Sequence, residues 1–381
     1  MITTIAAKHL LTATDVIQQP LVAIEDGRIV SISSRHWTES SKVTYEFGDA
    51  MLTPGLLDIH MHGVVGRDVM DGTSESLEAI GNFLAGHGVT EYLATTVTAS
   101  REFTLRALEG IGTYMERDPA GHAARIRGVH IEGPFLSHAK RGMHPPEHLI
   151  TPSPDVLNTL WEASRGHIVM MTIAPELPGA TETMKRATEL GIRCSMGHSD
   201  AGTAEALAGV KAGAVSATHT FNAMRALNHR DPGILGIVLD RDDLYADLIC
   251  DGVHVSPELV RLWFKAKGPD RAILITDALQ ATGMPDGVYR LGETRVHVQD
   301  GHCITDNGVL AGSVITLDEA VRRMRAFSGA DLATAVRLAW RNPSRMLGWK
   351  DEFGVGSEAT LNVYNGDGNL RATILRGKLL Q

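Results

Sequence analysis

The chain has 381 residues, 43% of them hydrophobic, and a formal charge of −9 at pH 7. At roughly 150 residues per domain that length makes two or three domains, and one (β/α)8 barrel of about 250 residues beside a smaller module fits equally well. An acidic balance without a basic tract excludes nucleic acid and anionic membrane as expected partners, and still leaves room for a small anionic substrate held by a few local cations. No apolar run reaches the ~18 residues of a membrane-spanning helix. The opening MITTIAAKHLLTATDV lacks the basic flank and unbroken apolar stretch of a secretion signal. Cys194, Cys250 and Cys303 are odd in number and far apart, against both a disulfide framework and a CxxC zinc site, so a reducing cytoplasm is the expected location.

In chain order, the first 50 residues carry an antiparallel pattern, LVAIEDGRIVSIS, with a hairpin signal at Asp26-Gly27. Eight apolar, β-branched runs of strand length follow: MLTPGLLDIH, EYLATTVT, RIRGVHIEG, HIVMMTIAPE, IRCSMGHS, AVSATHTFN, LYADLICDG and AILITDA. Between several of them lie helical patterns: SESLEAIGNFLAGHG, with Thr73 or Ser74 as N-cap and Gly88 as stop, then PDVLNTLWEASRG, TETMKRATELG and TAEALAGVKAGA. Strands alternating with such helices predict parallel pairing, and eight of them predict closure into a TIM-type (β/α)8 barrel over residues 51–349. The link between the third and fourth runs, with HAKRGMHPPEH, reads as irregular. After the eighth run, VYRLGETRVHVQDGHCIT reads as a hairpin turning at Asp300-Gly301. The closing GSEATLNVYNGDGNLRATILRGKLL reads as strands again, and residues 1–50 and 350–381 are expected to form one small β-sandwich domain beside the barrel.

In a parallel barrel the chemistry collects at the C-terminal ends of the strands and on the loops after them. Here the first run ends in Asp58, His60 and His62, the third in His130 and Glu132, the fifth in His198, the sixth in His219 and the eighth in Asp277. Period two puts Asp58, His60 and His62 on one face, so both imidazoles can point at one spot. A lone histidine at a strand end is more often a satisfied polar residue than a ligand. Glu132 alone fits a carboxylate paired with an arginine, and Asp277 alone fits a cap. Such residues at five strand ends together are a pattern that structural histidines have no reason to produce. Neutral imidazole and carboxylate suit zinc or another first-row divalent metal, with one position left open for water. His60, His62, Glu132, His198 and His219 exceed what one such ion needs, which allows two ions with Glu132 as a bridge. An aspartate facing water at such a site accepts its proton as general base and returns it to a leaving group, so Asp277 points to metal-assisted hydrolysis. Cys194 reads as core and not as a nucleophile, because no partner arrangement surrounds it.

The HxH of the first run, the histidines of the fifth and sixth and the aspartate of the eighth resemble the amidohydrolase superfamily. Within it, HIEGPF (130–135), GHSDA (197–201), THTFNAM (218–224), HRDPG (229–233), DGVHV (251–255), TDAL (276–279) and LAGS (310–313) resemble the N-acetylglucosamine-6-phosphate deacetylases, and the resemblance spans nearly the whole chain. It implies Glu132, His198 and His219 as principal metal ligands and Asp277 as catalytic acid/base. His60 and His62 match positions that complete a second metal site in some members, so one or two divalent ions per subunit are implied, zinc first. Asn222 and the Ala223 backbone would hold sugar hydroxyls or phosphate oxygens, and His144 the sugar or acetyl group. Arg230 and His254 would hold the phosphate, and Leu310, Ala311, Gly312 and Ser313 would wall the pocket around the acetyl methyl. The plain readings are a solvated loop cation for Arg230 and a helix-start residue for His254. A homodimer is implied, with Arg230 serving its own subunit or the neighbour's. Two departures from the pattern are Asp200 in GHSDA, where asparagine is common, and Thr360 in SEATLNVY, where the superfamily often shows Ala-Asp-Leu.

The implied reaction is hydrolysis of the N-acetyl group of N-acetylglucosamine 6-phosphate to glucosamine 6-phosphate and acetate, in amino-sugar catabolism. The partner is then a small sugar phosphate, with neither nucleic acid nor membrane involved. One alternative is the N-acetylgalactosamine 6-phosphate epimer, which the sequence does not separate. Another is an inactive sugar-phosphate-binding relative, against which the retained Asp277 argues. A cyclic amidase of the dihydroorotase or hydantoinase kind would bridge two metals with a modified lysine on the fourth strand, and HIVMMTIAPE contains no lysine.

Overall fold

The structure, a computed structural model, describes residues 2–34, 43–117, 121, 123–350 and 353–380. The eight runs form one parallel sheet of β1 (Leu56–Met61), β2 (Val89–Thr96), β3 (Arg125–Glu132), β4 (Ile168–Ile173), β5 (Arg193–Met196), β6 (Ala214–Ala217), β7 (Tyr245–Ile249) and β8 (Ala272–Ile275). A helix follows each strand: α1 (Ser74–Gly86), α2 (Arg101–Glu116), α3 (Pro154–Ala163), α4 (Ala180–Glu189), α5 (Thr203–Lys211), α6 (Gly233–Asp240), α7 (Pro257–Arg271) and α8 (Leu317–Ser328). The strand bodies are buried on both faces, which is why they read as continuous apolar runs and not as alternating ones. α1 begins at the expected cap, where Thr73 Oγ1 accepts the Ser76 N–H at 3.2 Å, and the chain leaves it through Gly88 at φ +74.

The ring closes where β8 meets β1. Met61 bridges to Ala278, the Asp277 N–H donates to the His60 carbonyl at 2.8 Å, and the buried Asp58 carboxylate accepts the Thr276 hydroxyl at 2.6 Å. Burial pushes the Asp58 carboxyl up to about 6, although the bonds from Thr276 and His60 favour its charge. Side-chain hydrogen bonds thus supplement a short ladder at the seam, directly below the polar strand ends.

The first run divides in two. Met51–Pro54 pairs antiparallel with Leu361–Tyr364 and parallel with His9–Leu11, so the first four residues assigned to the barrel run in a terminal sheet instead. Gly55 permits the crossing, because a Cβ there would lie 2.1 Å from Thr90 Oγ1. The terminal segments make two sheets, one from N-terminal strands alone and one that joins both ends of the chain. Ile5, Val22, Ile29, Leu52, Leu361 and Ile374 from the two sheets share one apolar core, giving a β-sandwich. Asp26 and Gly27, at φ +48 and +75, make the hairpin turn. The ranges expected for this domain, 1–50 and 350–381, include residues 1, 35–42, 351–352 and 381, which lie outside the described residues. The segment after β8 is three strands, Gly287–Leu291, Thr294–Gln299 and His302–Thr305, and not one hairpin, because Gly292-Glu293 makes a second tight turn ahead of Asp300-Gly301. Among the described residues, no helix is long and apolar enough to cross a membrane.

Candidate active site

The polar strand ends meet in one place. His60 lies in β1 and His62 just past it, Glu132 ends β3, and His198, His219 and Asp277 each stand two residues beyond β5, β6 and β8. These last three have left-handed backbone, with φ of 48°, 32° and 50°, which residues with a Cβ avoid and which functional sites store. Hydrogen bonds hold two of them there: the His219 N–H donates to the buried Asp247 carboxylate on β7, and the Asp277 N–H to His60.

Two buried sets of donor atoms result, His60 with His62 and Asp277, and Glu132 with His198 and His219; within each set the atoms lie within 4.8 Å of one another. Glu132 stands between the sets. Its Oε1 is 3.0 Å from His219 Nε2, 3.2 Å from His198 Nε2 and 3.4 Å from His60 Nε2, and its Oε2 is 3.4 Å from His62 Nε2. Asp277 Oδ1 is 3.1 Å from His62 Nε2. The far side of two rings assigns their tautomers: Nδ1 of His62 donates to the Thr95 carbonyl at 3.0 Å and Nδ1 of His198 to the Lys140 carbonyl at 2.9 Å. In its neutral form each ring would therefore turn an Nε2 lone pair inward. Yet His198 Nε2 and His219 Nε2 are 3.0 Å apart, and His60 Nε2 and His62 Nε2 are 3.3 Å apart. Four imidazole nitrogens crowded around two carboxylates form a donor set that suits a divalent metal.

The electrostatics agree. Burial drives the His62 imidazole down, but Asp277 and Glu132 outweigh it and hold the ring well above its ordinary value. Glu132 is held well below the carboxylate range in spite of burial, by the charge of His60 and by hydrogen bonds from His144, His198 and His219. Asp277 is likewise lowered against burial, by His60 and then His62.

A cavity of about 480 Å³ opens onto these groups, and His144, Asn222, Ala223, His254, Leu310, Ala311 and Gly312 line it. His144 Nδ1 accepts the Thr98 N–H at 3.3 Å, so the proton sits on Nε2, 3.5 Å from Glu132 Oε2. Burial pushes His144 down to about 4 and keeps it a neutral donor. Asn222 Nδ2 donates to the His219 carbonyl at 3.3 Å. Ser313 and Arg230 are placed elsewhere. The Ser313 hydroxyl is spent on the Thr276 carbonyl at 2.5 Å and the Ile315 N–H at 3.2 Å, bracing the wall from behind. Arg230 lies on an exposed turn outside its own cavity. Asp200 accepts from Arg225 at 3.4 Å and pairs with Lys140 at 3.7 Å, which ties together the loops on either side of His198.

Sequence reasoning gave His130 no role and passed over Asp247. His130 packs its ring 4.8 Å from that of His60, and its Nε2 meets Thr172 Oγ1 at 2.8 Å. Thr172 continues to Thr218 at 2.9 Å and Thr218 to Ser195 at 2.7 Å, a polar chain beneath the donor sets. Polar residues inside otherwise apolar strand bodies were the available signal for all of these.

Residues 51–380 match the Amidohydrolase family. The chain is 35% identical over 376 residues to the N-acetylglucosamine-6-phosphate deacetylase of Bacillus subtilis, covering 97% of this chain and 95% of the relative. It is 35% identical over 343 residues to the N-acetylgalactosamine-6-phosphate deacetylase of Escherichia coli O157:H7, covering 90% and 89%. Among solved structures, a variant of the Mycobacterium smegmatis N-acetyl-D-glucosamine-6-phosphate deacetylase in complex with N-acetyl-D-glucosamine-6-phosphate superposes with a TM-score of 0.93 at 32% identity, over 99% of each chain.

Proposed function

The chain belongs to the amidohydrolase family, and from that premise we propose that it hydrolyses the acetamide of N-acetylglucosamine 6-phosphate to glucosamine 6-phosphate and acetate, a step of amino-sugar catabolism. One observation carries the reading: Asp277, members of both donor sets, neutral His144 and His254 face the same cavity. Glu132, His198 and His219 would hold one divalent metal, and His60 and His62 a second, and such an ion would supply Lewis acidity to the acetyl carbonyl and to water, whose pKa it would lower toward about 7.

The protein's own groups do the rest. Asp277, ionised because its carboxyl is lowered, takes a proton from the attacking water as the new C–O bond forms. The His144 Nε2–H donates to the acetyl oxygen as negative charge develops there. Asp277 then gives its proton to the nitrogen, the C–N bond breaks, and the amine leaves. Leu310, Ala311 and Gly312 shape the side of the cavity that takes the acetyl methyl. Asn222, the Ala223 backbone and His254 take the sugar and its phosphate, so that binding energy remote from the amide positions the reacting bond. Arg230, exposed and outside its own cavity, completes the phosphate site of the partner subunit in a homodimer. Zinc is our assignment for the ion, on the imidazole-rich donor set. The three buried, free cysteines are in keeping with a cytoplasmic location.

The test is acetate release from N-acetylglucosamine 6-phosphate, its galactose epimer and unphosphorylated N-acetylglucosamine, with the protein reconstituted with zinc. The first is expected to be preferred by far. Preference for the epimer would move the assignment to the reaction named for the Escherichia coli relative, and no release from any of the three would overturn it.

A further inference from the structure

Asp251 and His254 stand on the turn after β7, and both side chains are more than nine-tenths buried. Asp251 Oδ1 accepts the N–H groups of Val253 at 2.9 Å and His254 at 2.8 Å, and Oδ2 meets His254 Nδ1 at 2.7 Å. Arg323 on α8 donates to the Asp251 carbonyl and is itself held by Glu319 at 2.7 Å. His254 lines the substrate cavity, and with Nδ1 spent on Asp251 its Nε2 is the ring atom left for a ligand. Among the described residues that Nε2 makes no hydrogen bond.

Resting on the reading of the substrate as a sugar phosphate, we propose that Asp251 is a positioning residue: its carboxylate fixes the His254 ring with Nε2 toward the cavity, and the pair thereby selects phosphorylated over neutral acetamides. With Nδ1–H committed to the carboxylate, Nε2 donates to a phosphate oxygen only as the imidazolium; the neutral ring would present a lone pair there. Burial opposes that charge, the Asp251 carboxylate outweighs burial, and Asp277 adds to it, so the ring is held above its ordinary value. The other ionisable groups around the pair are held by partners or by burial. Glu319 pairs with Arg323, Lys140 pairs with Asp200, and the Cys250 and Cys303 thiols are pushed up to about 12 by burial. A raised His254 keeps its charge to higher pH than a free imidazole and loses it as pH rises through the folded value, so phosphate affinity is lost on the alkaline side.

The experiment compares Asp251→Asn and His254→Gln, singly and together, in KM and kcat on the 6-phosphate and on unphosphorylated N-acetylglucosamine across pH. Asp251→Asn is expected to raise KM for the phosphorylated sugar about tenfold more than for the neutral one, and to move the alkaline limb to lower pH. In the His254→Gln background the same change should add little, since its effect passes through the ring. Equal losses on both sugars, or the same loss with and without His254, would overturn the proposal and leave Asp251 as a brace of its turn. If Asp251→Asn fails to fold, His254→Gln alone still decides: an unaltered KM for the phosphorylated sugar would overturn it. Two readouts need no turnover, so they separate this proposal from the substrate assignment. The carbon-13 NMR titration of His254 should move to lower pH in Asp251→Asn, and inorganic phosphate should bind about tenfold more weakly. An unmoved titration or unmoved phosphate affinity would sink the pair's role even if acetate is released.

Discussion

The two ends of the barrel each carry a cavity, and the larger one lies away from the chemistry. At the N-terminal ends of β1 to β3, against the β-sandwich, a cavity of about 580 Å³ is lined by several arginines and the rings of Trp340, Trp349 and Phe353. Its charges are largely spent on one another: Arg127 pairs with Glu91 at 2.5 Å and stacks 4.7 Å from the Trp349 ring centroid, and Arg125 and Arg376 flank Glu358 at 3.1 and 3.7 Å. At the opposite end, imidazole nitrogens face each other at hydrogen-bond distance, and His60 Nδ1 and His219 Nδ1 have no partner among the described residues. Volume and positive charge alone therefore do not mark this active site. Groups whose arrangement is unfavourable until something binds do.

The largest effect that sharpens this contrast belongs to Asp277→Asn, which should lower kcat by about 10²- to 10⁴-fold while metal content, read by elemental analysis, stays near that of the parent. Turnover close to the parent's would remove Asp277 from the acid/base role. His219→Ala comes next: with one imidazole gone from the set on Glu132, metal affinity should fall at least tenfold, and added zinc should recover only part of the activity. Full activity after exhaustive chelation would contradict the metal reading altogether. The smallest effect is expected at the other end. Glu91→Gln, which leaves Arg127 its aromatic contact, should cost no more than about 1 kcal/mol in denaturant unfolding, since both partners are about a third exposed, and should keep kcat within about twofold. A large drop in kcat there would break the division between the two ends.

Much of this was legible because the barrel writes itself in two overlapping codes. Strand bodies covered on both faces read as largely apolar runs, and the histidines and carboxylates at their C-terminal ends, such as Glu132 and His198, stand out against them. The same continuity hid the boundary in MLTPGLLDIH, because Met51–Pro54 is covered almost as fully in its own sheet as Leu56–Met61 is in the barrel. Asp26-Gly27 and Asp300-Gly301 announced their turns by residue type, whereas Gly292-Glu293 offers a glycine only at its first position, a weaker signal, and its turn passed unseen. Ser313 and Arg230 show a different limit. A motif names residues, but whether a hydroxyl is free for a ligand or spent on the backbone, as at Ser313, depends on what lies behind it. Asp247 and His130 were obscure for the converse reason: their partners are a backbone N–H and a threonine on neighbouring strands, contacts that exist only once the ring is closed.

The hydrogen bond from the Asp277 amide to the His60 carbonyl makes the main chain a ruler. It fixes how far Asp277 stands from the first-strand histidines, whatever rotamers surround them. No exchange of one side chain for another re-registers that spacing, but a change in residue count does, because a slip of one position turns every following strand side chain to the opposite face. One residue inserted within β8 would thus swing Asp277 out of the barrel and silence the site with every donor still present in the sequence.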